Sequence, residues 1–368
     1  MNASPLRRFL GGFHVFPSRH LPRSAPPGLR LTTLSIALLT VLAACTNGSG
    51  SLASSAVTPT VAASSTTATS APSPSPSPSS APAFPATLTD DEGTAVSISS
   101  EPRTIVSLTP ATTETLFALG LGDRIKGKGQ DVFLYPPQAK TIPDVATFDS
   151  VDVEKIVALT PDVVFAGGNF FTPPDSIARL RDLGLKVVVL YAPSVDAVYK
   201  DIQLIGQVTG RLAQANAMVD RIGAEFDKVR AAVAGLPTPR VFYELDATGA
   251  IYGPADKSFL AEMIQLAGGT PITTGATDKY DISVERLIEQ DPEVILLADG
   301  PFGVTAAQVV ARPGWKVMTA VKDGDIRPID DQTVTRPGPR LYLGLALLAK
   351  TIHPEATIPS AQPIPPVP

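Results

Sequence analysis

The stretch VEKIVALTPDVVFA, Val153 to Ala166, returns further along as VERLIEQDPEVILLA, Val284 to Ala298. In each copy a Glu stands seven positions before a Pro, Glu154 before Pro161 and Glu285 before Pro292, and the Pro and an acidic residue open an aliphatic run. The two glutamates are 131 positions apart (285 minus 154). That spacing is too long for a solenoid repeat and suits one domain-sized unit used twice. Within each copy, Asp152 or Ser283 is placed to cap a helix. Its apolar residues, Val153, Ile156 and Val157 or Val284, Leu287 and Ile288, then follow i, i+3, i+4 spacing. The glutamate falls off that stripe and should face water. A negative charge in a helix's first turn is favoured by a few tenths of a kcal/mol, which accounts for one such glutamate but gives no reason for two equivalent ones.

The rest of the folded sequence has the same texture. TLTDDEGTAVSI reads as a hairpin and TIVSL as a buried strand. PATTETLFALG is a short helix closed by Gly120, and VVFAG and KVVVL are strands on either side of DSIARLRDLG. Strands alternating with helices call for parallel sheets covered on both faces. Ser194 to Leu236 carries no strand signal and reads as helix, broken only near Gly210, with one run of some 24 residues and roughly 36 Å. Beyond Pro239 the alternation resumes with RVFYEL, FLAEMIQLAGG, the second copy and DIRPI, then a last helix from about Pro339 to Ile352. The expected fold is therefore α/β, two three-layer lobes with mostly parallel sheets bridged by one long helix. The boundaries expected are an N-terminal lobe over 86–208, an interlobe helix over 209–236, a C-terminal lobe over 237–356 and a Pro-rich tail over 357–368.

The first residues belong to another kind of segment. Leu31 to Ala44 is an apolar stretch behind arginines and ends in LAAC, the pattern of a signal peptide over 1–44 rather than a membrane span. Leu42, Ala43, Ala44 and Cys45 resemble a bacterial lipobox, after which Cys45 becomes the acylated first residue of the mature chain. Residues 45–85 are then a tether of Ser, Thr, Ala and Pro, a composition that cannot bury enough apolar surface to fold. It spans roughly 35 Å as a coil and about 120 Å if drawn into polyproline II.

Composition narrows the chemistry. Cys45 is the only cysteine, so an internal disulfide and a multi-cysteine metal site are excluded. Two of the three histidines, His14 and His20, fall in the leader, leaving His353, which is expected at the surface; a multi-histidine metal site and a Ser/His/Asp triad are thereby disfavoured. Loss of five leader arginines moves the formal charge from -5 to about -10, which argues against nucleic acid and anionic lipid surfaces as partners.

TIVSLTPATTETLFALGLGDRI, YPPQAK, IPDVATF, VDVEKIVALTPDVVFA, YELDAT, ISVERLIEQDPEVILLA and RPGWKVMTAVKDGDI, taken in order, resemble the iron-siderophore and vitamin B12 binding proteins, the substrate-binding lipoproteins of ABC importers. The resemblance runs from about Ala86 to Ile352. It implies a monomer, anchored by lipid outside the membrane, with no catalytic residues, cofactor or resident metal. Its ligand would be a small-molecule metal chelate (a corrinoid, ferric siderophore or haem) held between the lobes and delivered to an ABC permease. It also supplies the missing reason for the repeat, since Glu154 and Glu285 match exposed glutamates that dock onto permease arginines. Phe148 matches an aromatic that walls the cleft, and Arg336 and Arg340 of TRPGPR match basic positions facing it. Tyr252, Lys279 and Tyr280 lie in loops bordering it. Two positions depart from the vitamin B12 pattern: Val132 stands for a tyrosine and Gly167 for a tryptophan, with Phe170 and Phe171 close enough to compensate. The alternative is an extracytoplasmic enzyme or ligand sensor on the same fold, since carboxylates alone can do acid/base work.

Overall fold

The computed structural model describes residues 84–361 apart from Phe170. The leader, Cys45, the tether up to residue 83 and the tail from residue 362 lie outside the described residues. The described residues start with an antiparallel hairpin, β1 (Ala86–Thr89) and β2 (Ala95–Ile98), turning at the DDEG sequence. There follow β3 (Ile105–Ser107), α1 (Pro110–Ala118), β4 (Ile125–Gly129), β5 (Asp144–Ala146), α2 (Val153–Ala158), β6 (Val163–Gly167), α3 (Pro174–Asp182) and β7 (Val187–Leu190). Their five strands form one parallel sheet in the order β5-β4-β3-β6-β7. After α4 (Val195–Thr209) and α5 (Leu212–Val233) comes the second lobe. Its first half holds β8 (Arg240–Glu244), β9 (Ile251–Tyr252), α6 (Phe259–Leu266), β10 (Thr270–Pro271) and β11 (Asp281–Ile282). Its second half holds α7 (Val284–Gln290), β12 (Val294–Leu297), α8 (Ala306–Val310), α9 (Thr319–Asp323), β13 (Ile326–Pro328), α10 (Asp331–Val334) and α11 (Leu341–Ile352). Here the parallel sheet runs β10-β8-β12-β13, with β9 and β11 as a separate antiparallel ribbon.

The repeated sequence proves to be a repeated piece of architecture. Asp152 accepts from Lys155 N at 2.9 Å to open α2, and Ser283 accepts from Arg286 N at 3.2 Å to open α7. Both helices end on a residue held at positive φ just before the Pro, Thr160 at 46° and Asp291 at 44°. The acidic residue after the Pro then starts strand pairing. The Asp162 amide donates to Thr104 O (2.8 Å) and its carboxylate accepts from Arg103 N and Thr104 N (2.8 and 2.9 Å). Glu293 does the same for β8, its amide donating to Arg240 O and its carboxylate accepting from Arg240 N, both at 2.9 Å. Each copy thus fixes the register of a central parallel pair, β3 with β6 and β8 with β12.

One central strand carries no aliphatic run. β4 is IKGKG, and its pairing depends on glycine: a Cβ at Gly129 would stand 2.3 Å from Leu108 O, and one at Gly127 would stand 2.8 Å from the Val145 side chain. Lys128 is buried in this strand because its ammonium is paired with Asp144 of β5.

The long helical region is broken where expected. Gly210 caps α4 at φ 72°, and the chain turns into α5, whose 22 residues extend about 33 Å. α5 buries Ala215, Met218, Ile222, Phe226, Val229 and Val233, one stripe at helical spacing. The stripe belongs to a core that takes Val163 and Phe165 from one sheet, Val241, Tyr243, Val294 and Leu296 from the other, and Leu345 and Leu348 of α11. The opposite sheet faces have separate cores, one with Val164, Ala166 and Ile156, the other with Phe242, Ile295 and Trp315. His353 departs from expectation. Its ring is buried, with Nε2 3.2 Å from Gly268 O at the end of α11, and burial lowers its pKa.

Candidate functional site

In both lobes the side chains with chemistry gather where parallel strands end. β4 ends at Gly129 and delivers Asp131, Phe133 and Tyr135; β8 delivers Glu244 and Asp246; β12 delivers Asp299 and Phe302. This is the end of an open α/β sheet at which loops are free to build a site.

The contacts between these loops and the segment from Thr335 to Arg340 are ionic and bidentate. Arg336 donates to both oxygens of Asp131, at 2.9 and 3.0 Å, and Arg340 to both oxygens of Glu114 on α1, at 2.9 and 3.0 Å. Arg336 also lies 3.6 Å from Glu114, and the Arg340 guanidinium stacks 3.5 Å from the centre of the Tyr135 ring. Both carboxylates are sequestered, Glu114 being 3 % and Asp131 6 % exposed at the side chain. Burial opposes ionisation of Asp131, but the hydrogen bonds and charge of Arg336, with the Tyr135 and Phe133 amides, outweigh it and hold the carboxyl below its usual range. Phe133 meets Phe302 across the same junction, ring centres 6.2 Å apart. The arginines expected to face the cleft are therefore already engaged by acids of the opposite lobe.

The base of the Arg segment is fixed in turn. Tyr243 donates to Asp331 Oδ1 at 2.6 Å and Thr335 Oγ1 to Asp331 Oδ2 at 2.8 Å. Burial raises the pKa of Asp331, opposed by those two hydrogen bonds.

The other expected cleft residues are distributed more loosely. Phe148 is half-buried beyond β5, Tyr252 half-buried on β9, and Lys279 exposed, its carbonyl accepting from Thr274 Oγ1 at 2.8 Å. Burial raises the Tyr280 pKa, and the charge of Tyr191, the residue after β7, adds to the shift. Phe171 is 53 % exposed, and a Cβ at Gly167 would stand 2.8 Å from Phe171 Cβ. The space where a side chain at 167 would begin is thus taken by Phe171; Phe170 lies outside the described residues. Glu154 and Glu285 are exposed in the first turns of α2 and α7, and neither forms an ion pair among the described residues.

Sequence reading missed Glu114, Asp131 and a group of acids in the C-terminal lobe. Glu244 is fully buried and pairs with both Arg312 nitrogens, at 2.5 and 2.7 Å. Asp299 beside it is 1 % exposed, and neither of its oxygens meets a donor. Burial raises its pKa to about 7, the Glu244 carboxylate adding to the shift and Arg312 opposing it. A proton on Asp299 converts the carboxyl–carboxylate contact into a hydrogen bond. The folded state therefore holds a proton that the unfolded state releases near pH 4. The stability this contributes is complete below about pH 4 and is lost as pH rises to about 7. Asp299→Asn is expected to flatten that slope and to be the more stable form at pH 8, by on the order of 2–4 kcal/mol, as read by urea denaturation at pH 5 and pH 8.

A family model described as periplasmic binding protein matches residues 105–333. The chain belongs to the periplasmic binding protein family. Within it, an uncharacterized ABC transporter substrate-binding lipoprotein, YvrC, of Bacillus subtilis is 32% identical over 277 residues, 74% of this chain and 87% of that protein. A cobalamin-binding protein of Halobacterium salinarum is 30% identical over 283 residues, 74% of this chain and 75% of its own length. Among solved structures, a periplasmic haem-binding protein, BhuT, in complex with two haems superposes with TM-score 0.60 at 26% identity, covering 69% of this chain and 100% of that one. The vitamin B12 binding protein BtuF of Vibrio cholerae, at 24% identity and TM-score 0.60 over 68% of this chain and 96% of its own, shares the fold. The members named here are binding proteins, and no helix among the described residues is long and apolar enough to cross a membrane.

Proposed function

We propose that this chain is the substrate-binding lipoprotein of an ABC importer, which captures a corrinoid or an iron chelate between its lobes and hands it to the permease. The observation that carries the reading is the meeting of the two strand-end loop sets across one junction, lined by Phe133, Tyr135 and Phe302, in a chain 30% identical to a cobalamin-binding protein. In this reading Phe148, Phe171, Tyr252, Lys279 and Tyr280 border the same cleft. Apolar walls with a few placed polar groups are what a large planar chelate requires. Arg336 and Arg340 can offer a ligand the forks that now hold Asp131 and Glu114 only by leaving those carboxylates. An acidic siderophore must therefore compete with two carboxylates, whereas a corrinoid can leave the pairs intact as struts, which favours the corrinoid.

Isothermal titration with cyanocobalamin, haem and ferric catecholate and hydroxamate complexes tests the reading. Binding of at least one below about 10 μM, near 7 kcal/mol, is expected, and failure of all of them would overturn it. The anchor is tested separately: Cys45→Ala is expected to release the protein from membranes with ligand affinity unchanged, and full retention of the variant would dismiss lipidation at Cys45. In the same reading Glu154 and Glu285 are the contacts to the permease, one from each copy of the repeat.

A further inference from the structure

The apolar stripe of α2 is only partly used by the protein itself. Ile156 is fully buried, but Val157, its neighbour on the stripe, is 38 % exposed, and Leu183, which caps α3, is 45 % exposed. Between them lies a groove of about 490 Å³ lined by Val153, Glu154, Val157, Ala158, Arg179 and Leu183. Its floor is apolar and its only charged members are one acid and one base, both exposed and neither ion-paired among the described residues. In the other lobe the counterpart of Val157 is Ile288, half-buried with Val284 against Gly314, where an added Cβ would sit 3.7 and 3.6 Å from their side chains.

We propose that this groove is an interaction surface for the permease, receiving an apolar side chain that the permease presents between a cationic group, which pairs with Glu154, and an anionic one, which pairs with Arg179. The inference rests on the docking role proposed for Glu154 and extends it from a point charge to a shaped site. A groove open to solvent, without several convergent polar groups, does not suit a small molecule. An apolar anchor inside a charged rim is the arrangement that concentrates binding energy in protein interfaces. Exposed Val157 and Leu183 supply the anchor's seat, and opposed charges on the rim fix the orientation in which it enters. Because Ile288 is packed against Gly314, the two glutamates stand in different surroundings, so the permease can distinguish the two lobes.

The test measures binding of the cyanocobalamin-loaded mature chain to the permease–ATPase complex in nanodiscs. Ala158→Trp fills the groove and Arg179→Glu reverses one rim charge, both at exposed positions. Each is expected to weaken binding at least tenfold while ligand affinity, by titration calorimetry, stays within twofold. If both variants bind the permease like the wild type while Glu154→Ala binds poorly, the groove proposal is wrong and the docking glutamate stands. If Glu154→Ala also binds normally, the docking reading fails and the groove with it. Should Ala158→Trp not fold, Arg179→Glu alone decides between these outcomes.

Discussion

Arg340→Ala is expected to lower the stability of the folded part by about 3–5 kcal/mol, the largest effect of any single change considered, because it strands Glu114 in a site where the carboxylate is 3 % exposed. The remaining cation, Arg336, lies 3.6 Å from Glu114 and is already committed to Asp131. Removing the guanidinium also uncovers the Tyr135 ring on which it stacks. The cost comes from an unpaired buried charge rather than from the net worth of the pair, so the double variant Glu114→Leu with Arg340→Met should recover most of it. Equilibrium urea unfolding of both variants beside the wild type checks this. A loss below about 1 kcal/mol for Arg340→Ala would mean that the pair behaves like a surface ion pair.

The second large effect is on transport. Glu154→Ala and Glu285→Ala are each expected to leave thermal stability and ligand affinity within about 0.5 kcal/mol of wild type, as for other exposed positions. Each should nevertheless impair uptake in a reconstituted importer, since truncating one partner of a desolvated interfacial charge pair costs about 2–5 kcal/mol. The double variant should be close to inactive. Normal transport by both single variants would reduce the glutamates to helix-dipole partners in a duplicated sequence.

The sequence revealed what local periodicity encodes. Both copies of the repeat, the break at Gly210 and the final helix lie where apolar spacing and capping residues place them. β4 escaped notice because IKGKG has no aliphatic run; its place in the sheet comes from glycines that let Leu108 and Val145 approach, a property of the neighbours. The acid–base pairs escaped for a different reason. Glu114 and Arg340 are 226 positions apart, and nothing in PATTETLFALG says that its lone acid is buried until the helix has a partner. A charge inside an otherwise uncharged helix was the available signal. The arginines were found but not their occupants, because a basic side chain aimed at a cleft reads the same whether its acceptor is a ligand or a carboxylate from the facing lobe. His353 was misjudged because its burial depends on Gly268, far away in sequence.

The stripe along α5 shares one apolar core with strands of both sheets. Neither half of the molecule can therefore come apart alone without exposing part of the other, so the folded region should melt in a single cooperative transition. A ligand seated at the proposed site would then protect distant surfaces, the proposed docking face included, from proteases that wait for an opened chain. In the proposed role of a tethered receptor, residence time on the membrane would become a function of nutrient supply, with empty copies cleared faster than loaded ones.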